Sequence, residues 1–248
     1  MKLQNQISDW LKNYIIDSNL KTFVVGISGG IDSAVTSTLC AMTGVKTYTV
    51  IMPIYQNPEE TDRGIEHCNW LKSNFNNTEI IQVDLTDTYE TLIKDIPEKF
   101  KTDLSLANTR ARIRMSTLYL IAGGANGLVA GTGNKIEDFG VGFFTKYGDG
   151  GVDISPIGDL MKSDVYKLGK DMKIVNSILE AKPTDGLWDD KRTDEDQLGV
   201  SYDELEWAMS YKGGNEINKK QREILDTYNN FRKANMHKMK PIPIFKLK

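Results

Sequence analysis

Ser28-Gly29-Gly30-Ile31-Asp32-Ser33 is the segment whose residue types and spacing are most specific for chemistry. Two adjacent glycines let the backbone approach a phosphate closely, and a helix opening just after them presents unpaired N–H groups to it. Ser28 and Ser33 add hydroxyl donors. Asp32 would repel a phosphate unless a cation lies between them, so the loop implies Mg²⁺ carried with ATP. A capped strand-to-helix turn explains S-G-G by itself, but explains the whole S-G-G-x-D-S string less well. The G-x-x-x-x-G-K-[ST] pattern is absent, which disfavours γ-phosphate chemistry of the kinase or GTPase kind. No G-x-G-x-x-G occurs in this loop, so a hydride-transfer reading lacks its fingerprint.

A second candidate is Gly131-Thr132-Gly133-Asn134-Lys135-Ile136-Glu137. Facing Asp32 across a cleft, Glu137 would complete a Mg²⁺ site of two carboxylates and phosphate oxygens. Alone, it reads as a solvated acid at a helix start. Arg110, Arg112 and Arg114 lie at i, i+2 and i+4 on one predicted helix, so they cannot share a narrow face. Each, taken singly, is as readily a solvated base as a ligand. The chain has 2 histidines without metal-ligand spacing, which argues against a histidine metal centre.

These groups need a scaffold. Residues 3–16 have the apolar spacing of an amphipathic helix, and 22–27 is a short apolar run of the kind buried in parallel sheets. A helix over 32–42, a strand over 47–53, a helix over 58–75 and a strand over 79–85 follow. Helices over 86–100 and 106–123 then lead to a strand over 127–132. The alternation predicts an α/β fold, an open parallel sheet with helices on both faces. Ligands in such sheets bind beyond the carboxyl ends of the strands, so Ser28–Ser33, Pro53 and Thr132–Glu137 share one rim. Residues 139–162, rich in Gly and aromatics, read as shaped loops, with helices at 163–181, 201–211 and 215–235. The polar stretch 182–199 reads as a lid or a disordered loop. No repeat or clear linker appears, so 1–248 is taken as a single domain.

Composition sets the outer limits. The 248 residues are 40% hydrophobic and 26% charged, an ordinary globular balance. With 31 basic and 34 acidic residues the net charge is −3, giving no bulk attraction to nucleic acid. Cys40 and Cys68 form no C-x-x-C pair and read as core thiols in a reducing compartment. Neither a secretory signal nor an 18-residue apolar stretch is present, so a cytoplasmic protein without membrane contact is expected.

The phosphate loop resembles that of the N-type ATP pyrophosphatase superfamily, whose members adenylate a substrate oxygen and release pyrophosphate. Within it, G-T-x-N-K-x-E followed by Phe143-Phe144-Thr145-Lys146-Tyr147-Gly148-Asp149-Gly150-Gly151-Val152-Asp153 closely resembles the ammonia-dependent NAD synthetases. The resemblance runs from about residue 20 to 240. It implies an adenine-nucleotide alpha hydrolase-like, Rossmann-like fold. The implied activity is ATP-dependent amidation of deamido-NAD by ammonia through an acyl-adenylate. By the same resemblance ATP lies on Gly26, Ile27, Ser28, Gly29, Gly30, Ile31, Asp32, Ser33, Thr132, Lys162 and Thr184. Deamido-NAD lies on Arg112, Lys146, Asp153, His237 and Lys238, and Mg²⁺ on Asp32 and Glu137. Asp32 and Lys162 are the implied catalytic groups, and a homodimer is the implied assembly. Many members carry G-T-D-H-A-A-E where this chain has G-T-G-N-K-I-E. A glutaminase domain would need a few hundred further residues, so free ammonia is the expected nitrogen donor.

Two other classes share the loop. A tRNA thiolase should add a basic surface and a reactive cysteine pair, which this composition lacks. A non-catalytic nucleotide-binding module needs no Asp32–Glu137–Lys162 set, and an assay for turnover separates it.

Overall fold

The computed structural model describes residues 1–184 and 193–247. Four parallel strands, β1 (Thr22–Gly26), β2 (Lys46–Ile51), β3 (Thr78–Gln82) and β4 (Gly127–Val129), pair in the order β3-β2-β1-β4. The register sets Thr22 against both Lys46 and Gly127, so β1 is central. Successive β1 side chains serve opposite cores: Phe23 and Val25 on one face, Val24 on the other, all fully buried. That is why the run is continuously apolar.

The face of Phe23 and Val25 is covered by α1 (Leu3–Asp17), α2 (Ile31–Met42), α3 (Pro58–Asn74), α6 (Lys162–Asp171) and α7 (Asn176–Leu179). The other face is covered by α4 (Thr86–Lys94) and α5 (Asp103–Ala125). A third cluster joins α8 (Asp194–Leu198), α9 (Tyr202–Ser210) and α10 (Lys219–Met239) to a π-helix over Lys135–Val141. The open parallel sheet with helices on both faces is therefore as the alternation predicts.

Several element ends differ from the sequence reading, for local reasons. The helix expected over 86–100 stops at Lys94, because Pro97 drives Ile96 out of helical backbone. A 3₁₀ turn, Glu98–Phe100, follows. α5 begins earlier than expected, at Asp103, where Thr102 accepts a hydrogen bond from Ser105 N–H. It ends on Asn126 in the left-handed region, φ 51°. The helix expected over 163–181 is broken after Asp171, with Lys173 at φ 59°. Of the expected 182–199 lid, residues 185–192 lie outside the described residues, and Asp194–Leu198 is helical. Cys40 and Cys68 are buried and unpaired, and burial pushes the Cys68 thiol up to about 11.

Candidate functional site

Strand order reverses at β1, which leads to β2 on one side and takes β4 on the other. Beyond the carboxyl ends of those strands a crevice must open, and a cavity lies there. Gly26 to Ser33 line it from β1, Gly131 and Thr132 from β4, Glu137 from the π-helix, and Lys162 and Thr184 from later segments. All the residues expected to hold ATP, and both expected Mg²⁺ ligands, thus face one space.

The Ser28–Ser33 loop has the backbone that its sequence predicts. Gly29 sits at φ 83°, and a Cβ there would lie 2.2 Å from the Glu60 carbonyl oxygen, so only glycine fits. Ser33 Oγ donates to Gly30 O and accepts from Ser28 N–H, while Ser28 Oγ accepts from Gly30 N–H. These bonds curl the loop before α2 starts at Ile31.

Asp32, Glu137 and Lys162 meet. Lys162 Nζ donates to Asp32 Oδ2 at 2.6 Å and to Glu137 Oε1 at 3.0 Å, with Lys162 4% exposed. Burial alone would lower the lysine pKa, but the two carboxylates outweigh it and hold the ammonium charged, well above its usual range. Burial raises Asp32, with Glu137 adding to the rise against the pull of Lys162. At Glu137 burial is overcome by Lys162 and a bond from Tyr202, and its carboxyl is lowered.

Asn134 ties the two acids together. Its Nδ2 donates to Asp32 Oδ1 at 3.1 Å, and its Oδ1 accepts from the Ile136 and Glu137 N–H groups, capping the π-helix. The side chain is fully buried. π-Turns of this kind are frequent at functional sites. Asp138, next along it, crowds Gly133 so closely that a Cβ there would meet Oδ2 at 1.9 Å. Burial, with Glu137 beside it, pushes the Asp138 carboxyl well above the ordinary range.

The opposite wall carries Gln56 and Glu60, which the sequence reading did not single out, with Arg114, which it left open among three arginines. Arg114 donates to Met52 O at 2.9 Å and to Gln56 Oε1 at 2.8 Å, and Gln56 donates in turn to Glu60. Glu60 accepts from Thr184 Oγ1 at 3.0 Å. Helical phase carried a signal for Arg114. α5 buries Ala111, Met115, Leu118 and Ala122 as one stripe, and Arg112 and Arg114 flank it on opposite sides. Arg110 lies over the Tyr89 ring. The three arginines therefore go to three places.

The residues expected to hold deamido-NAD do not line this cavity, but four of them gather nearby. Arg112 Nε donates to Lys146 O, Lys146 Nζ to His237 O, and Lys238 Nζ to Phe144 O. Asp153 stands apart, accepting from Val129 N–H and from the Tyr119 hydroxyl.

Comparison with known proteins identifies the family and agrees with the fold. The family model for NAD synthase matches residues 3–242. A relative from Carboxydothermus hydrogenoformans, an NH(3)-dependent NAD(+) synthetase, is 35% identical, the match covering 96% of this chain and 94% of the relative. A structure of NMN synthetase from Francisella tularensis superposes with TM-score 0.89 at 32% identity, over 99% of this chain and 98% of that one. An NH3-dependent NAD synthetase from Campylobacter jejuni gives TM-score 0.76 at 27% identity, over 98% and 97%. With a family model matching residues 3–242 and a relative 35% identical over 96% of its length, the chain belongs to the NAD synthase family, ligases that form a C–N bond.

Proposed function

We propose that the chain amidates deamido-NAD to NAD with ammonia and ATP, and that the cavity beyond β1 and β4 is where ATP is activated. The observation that carries this reading is the meeting of Asp32, Glu137 and Lys162 at the phosphate loop. The pyridine carboxylate attacks the α-phosphorus, giving an acyl-adenylate and pyrophosphate. Ammonia attacks the acyl carbon, and AMP leaves. The protein supplies position and charge rather than a covalent nucleophile. Gly26 to Ser33 hold the departing pyrophosphate, and Lys162 neutralises charge as it develops. Thr132 and Thr184 complete the nucleotide contacts. Arg112, Lys146, Asp153, His237 and Lys238 take the pyridine dinucleotide.

The donor set fits Mg²⁺. Asp32 and Glu137, both bonded to the Lys162 ammonium, are two carboxylates that would give the protein's usual share of a Mg²⁺ shell completed by phosphate oxygens and water. Among the described residues no group of three or more His, Cys, Asp or Glu side chains is placed to hold a metal ion. Bound there, the ion would offset phosphate charge, with Asp32 and Glu137 as its protein ligands. We read residues 1–248 as one domain working as a homodimer in the cytoplasm. Among the described residues no helix is long and apolar enough to cross a membrane.

The test measures NAD and pyrophosphate formed from ATP, Mg²⁺, deamido-NAD and ammonium, in wild type and Asp32→Ala. Ammonium-dependent NAD formation, lost in the variant, is the expected result. Wild-type protein that binds ATP yet releases no pyrophosphate with deamido-NAD would sink the reading. One observation favours a second pyridine substrate, the mononucleotide: the structure with TM-score 0.89 is an NMN synthetase. Competing the two substrates in one reaction decides between them by the ratio of kcat/KM.

A further inference from the structure

The Glu137–Lys162 centre is also held from a side that the phosphate loop does not reach. Tyr202, the first residue of α9, is 6% exposed. Its hydroxyl donates to Glu137 Oε1 at 2.6 Å, with Asp194 Oδ2 at 3.1 Å. Its ring faces Lys162, whose Nζ lies 4.7 Å from the ring centroid, within the range of a cation–π contact. Its backbone N–H donates to Glu195 Oε1 at 2.9 Å. One side chain therefore touches the acid and the base of the centre, and one residue binds the first two residues of α8.

Local sequence explains how Tyr202 is aimed. Ser201 accepts from Glu204 N–H and Glu204 reaches back to Ser201 N–H, a capping box that starts α9 at Tyr202. The ring then packs in the third cluster with Ile136 and Val141 of the π-helix and Leu198 and Leu205. Packing alone would be satisfied by phenylalanine. The hydroxyl is the part that packing does not require, and it lands on the same Glu137 oxygen that Lys162 reaches. Two donors on one carboxylate oxygen set the rotation of the carboxylate plane.

We propose that Tyr202 is a positioning residue for the phosphate end of the nucleotide. Its hydroxyl orients Glu137 and its ring holds the Lys162 ammonium between the two acids. Through Asp194 and Glu195 it links that arrangement to the segment beginning at Thr193. The proposal rests on the reading of this cavity as the ATP and Mg²⁺ site.

Tyr202→Phe keeps the ring and removes the hydroxyl. ATP binding is titrated calorimetrically against Mg²⁺ with no pyridine substrate, and thermal unfolding is measured without ligands. The expected result is a Mg²⁺ half-saturation about tenfold higher in the variant, the range expected for one charge-assisted hydrogen bond, with only a modest fall in the unfolding midpoint. The KM for the pyridine substrate should stay as in wild type while kcat falls. In a Glu137→Gln background, Tyr202→Phe should add little, because its partner is already altered. An unchanged Mg²⁺ dependence overturns the proposal, whether or not the midpoint falls. So does an equal penalty in both backgrounds. Wild-type protein without Mg²⁺-dependent ATP binding would overturn the site reading itself, and this proposal with it.

Discussion

Lys162 and His67 are both buried ionisable groups, and their surroundings push them opposite ways. Lys162 keeps its charge because two carboxylates share it. Replacing it by methionine leaves Asp32 and Glu137 as neighbouring buried acids, so loss of turnover by several orders of magnitude is expected, with protein stability measured alongside. His67 has no such counter-charge. It is fully buried, bonds Ser37 Oγ through Nε2 at 2.9 Å and stacks on Trp70, and burial lowers its pKa from 6.5 to about 4. The unfolded chain therefore binds a proton that the folded one refuses between pH 6.5 and about 4. Its contribution to stability is intact above pH 6.5 and is lost as pH falls toward 4. Unfolding free energy should drop by about 2 kcal/mol between pH 7 and pH 5 from this group. Urea titrations at both pH values check it, and His67→Gln should remove that part of the slope.

At the scale of elements, the Ser28–Ser33 loop is where left-handed backbone and a close carbonyl together leave room for glycine alone. Gly29→Ala would force a side chain into left-handed backbone and against the Glu60 carbonyl. Backbone strain of about 1–3 kcal/mol is expected, shared between lost stability and at least tenfold weaker ATP binding. A variant that binds ATP as tightly as wild type would show that the loop rearranges. This element was readable from sequence because Gly-Gly before a helix permits few conformations. So were β1, β2 and the buried face of α2, whose apolar runs leave little choice. Asn134 and Tyr202 were not readable in the same way. Their roles depend on contacts with Asp32, 102 positions away, and with Glu137, 65 positions away. No local period encodes those separations. The π-helix was also hidden, since its extra residue per turn breaks the spacing on which helical patterns rest. Arg112 illustrates a partial signal: the spacing shows that the three arginines must diverge, and only α5's packing shows which one meets the cavity.

Over the whole molecule, α5 overruns the sheet it covers. Its buried stripe of Ala107, Ala111, Met115, Leu118 and Ala122 continues one turn further to Leu104, which is 63% exposed. Leu92 near the end of α4, and Ile96 and Phe100 on the connection that follows it, are exposed as well. Exposed apolar side chains on and just before α5 make this end of the helix a candidate association surface, and a net charge of only −3 opposes association weakly. A second copy of the chain is the natural occupant under the homodimer reading, because a two-fold axis places one such run against its equal. Sedimentation equilibrium should therefore find dimers of the 27.9 kDa chain at micromolar concentration. Leu104→Glu, which puts a charge on the exposed run without touching the buried stripe, should shift the equilibrium to monomers by tenfold or more while the circular dichroism spectrum stays unchanged. A wild type that sediments as a monomer, or a Leu104→Glu variant as dimeric as wild type, would remove this surface from the assembly. If the monomeric variant also loses activity while ATP binding persists, the second chain is needed for the pyridine half of the reaction rather than for nucleotide activation.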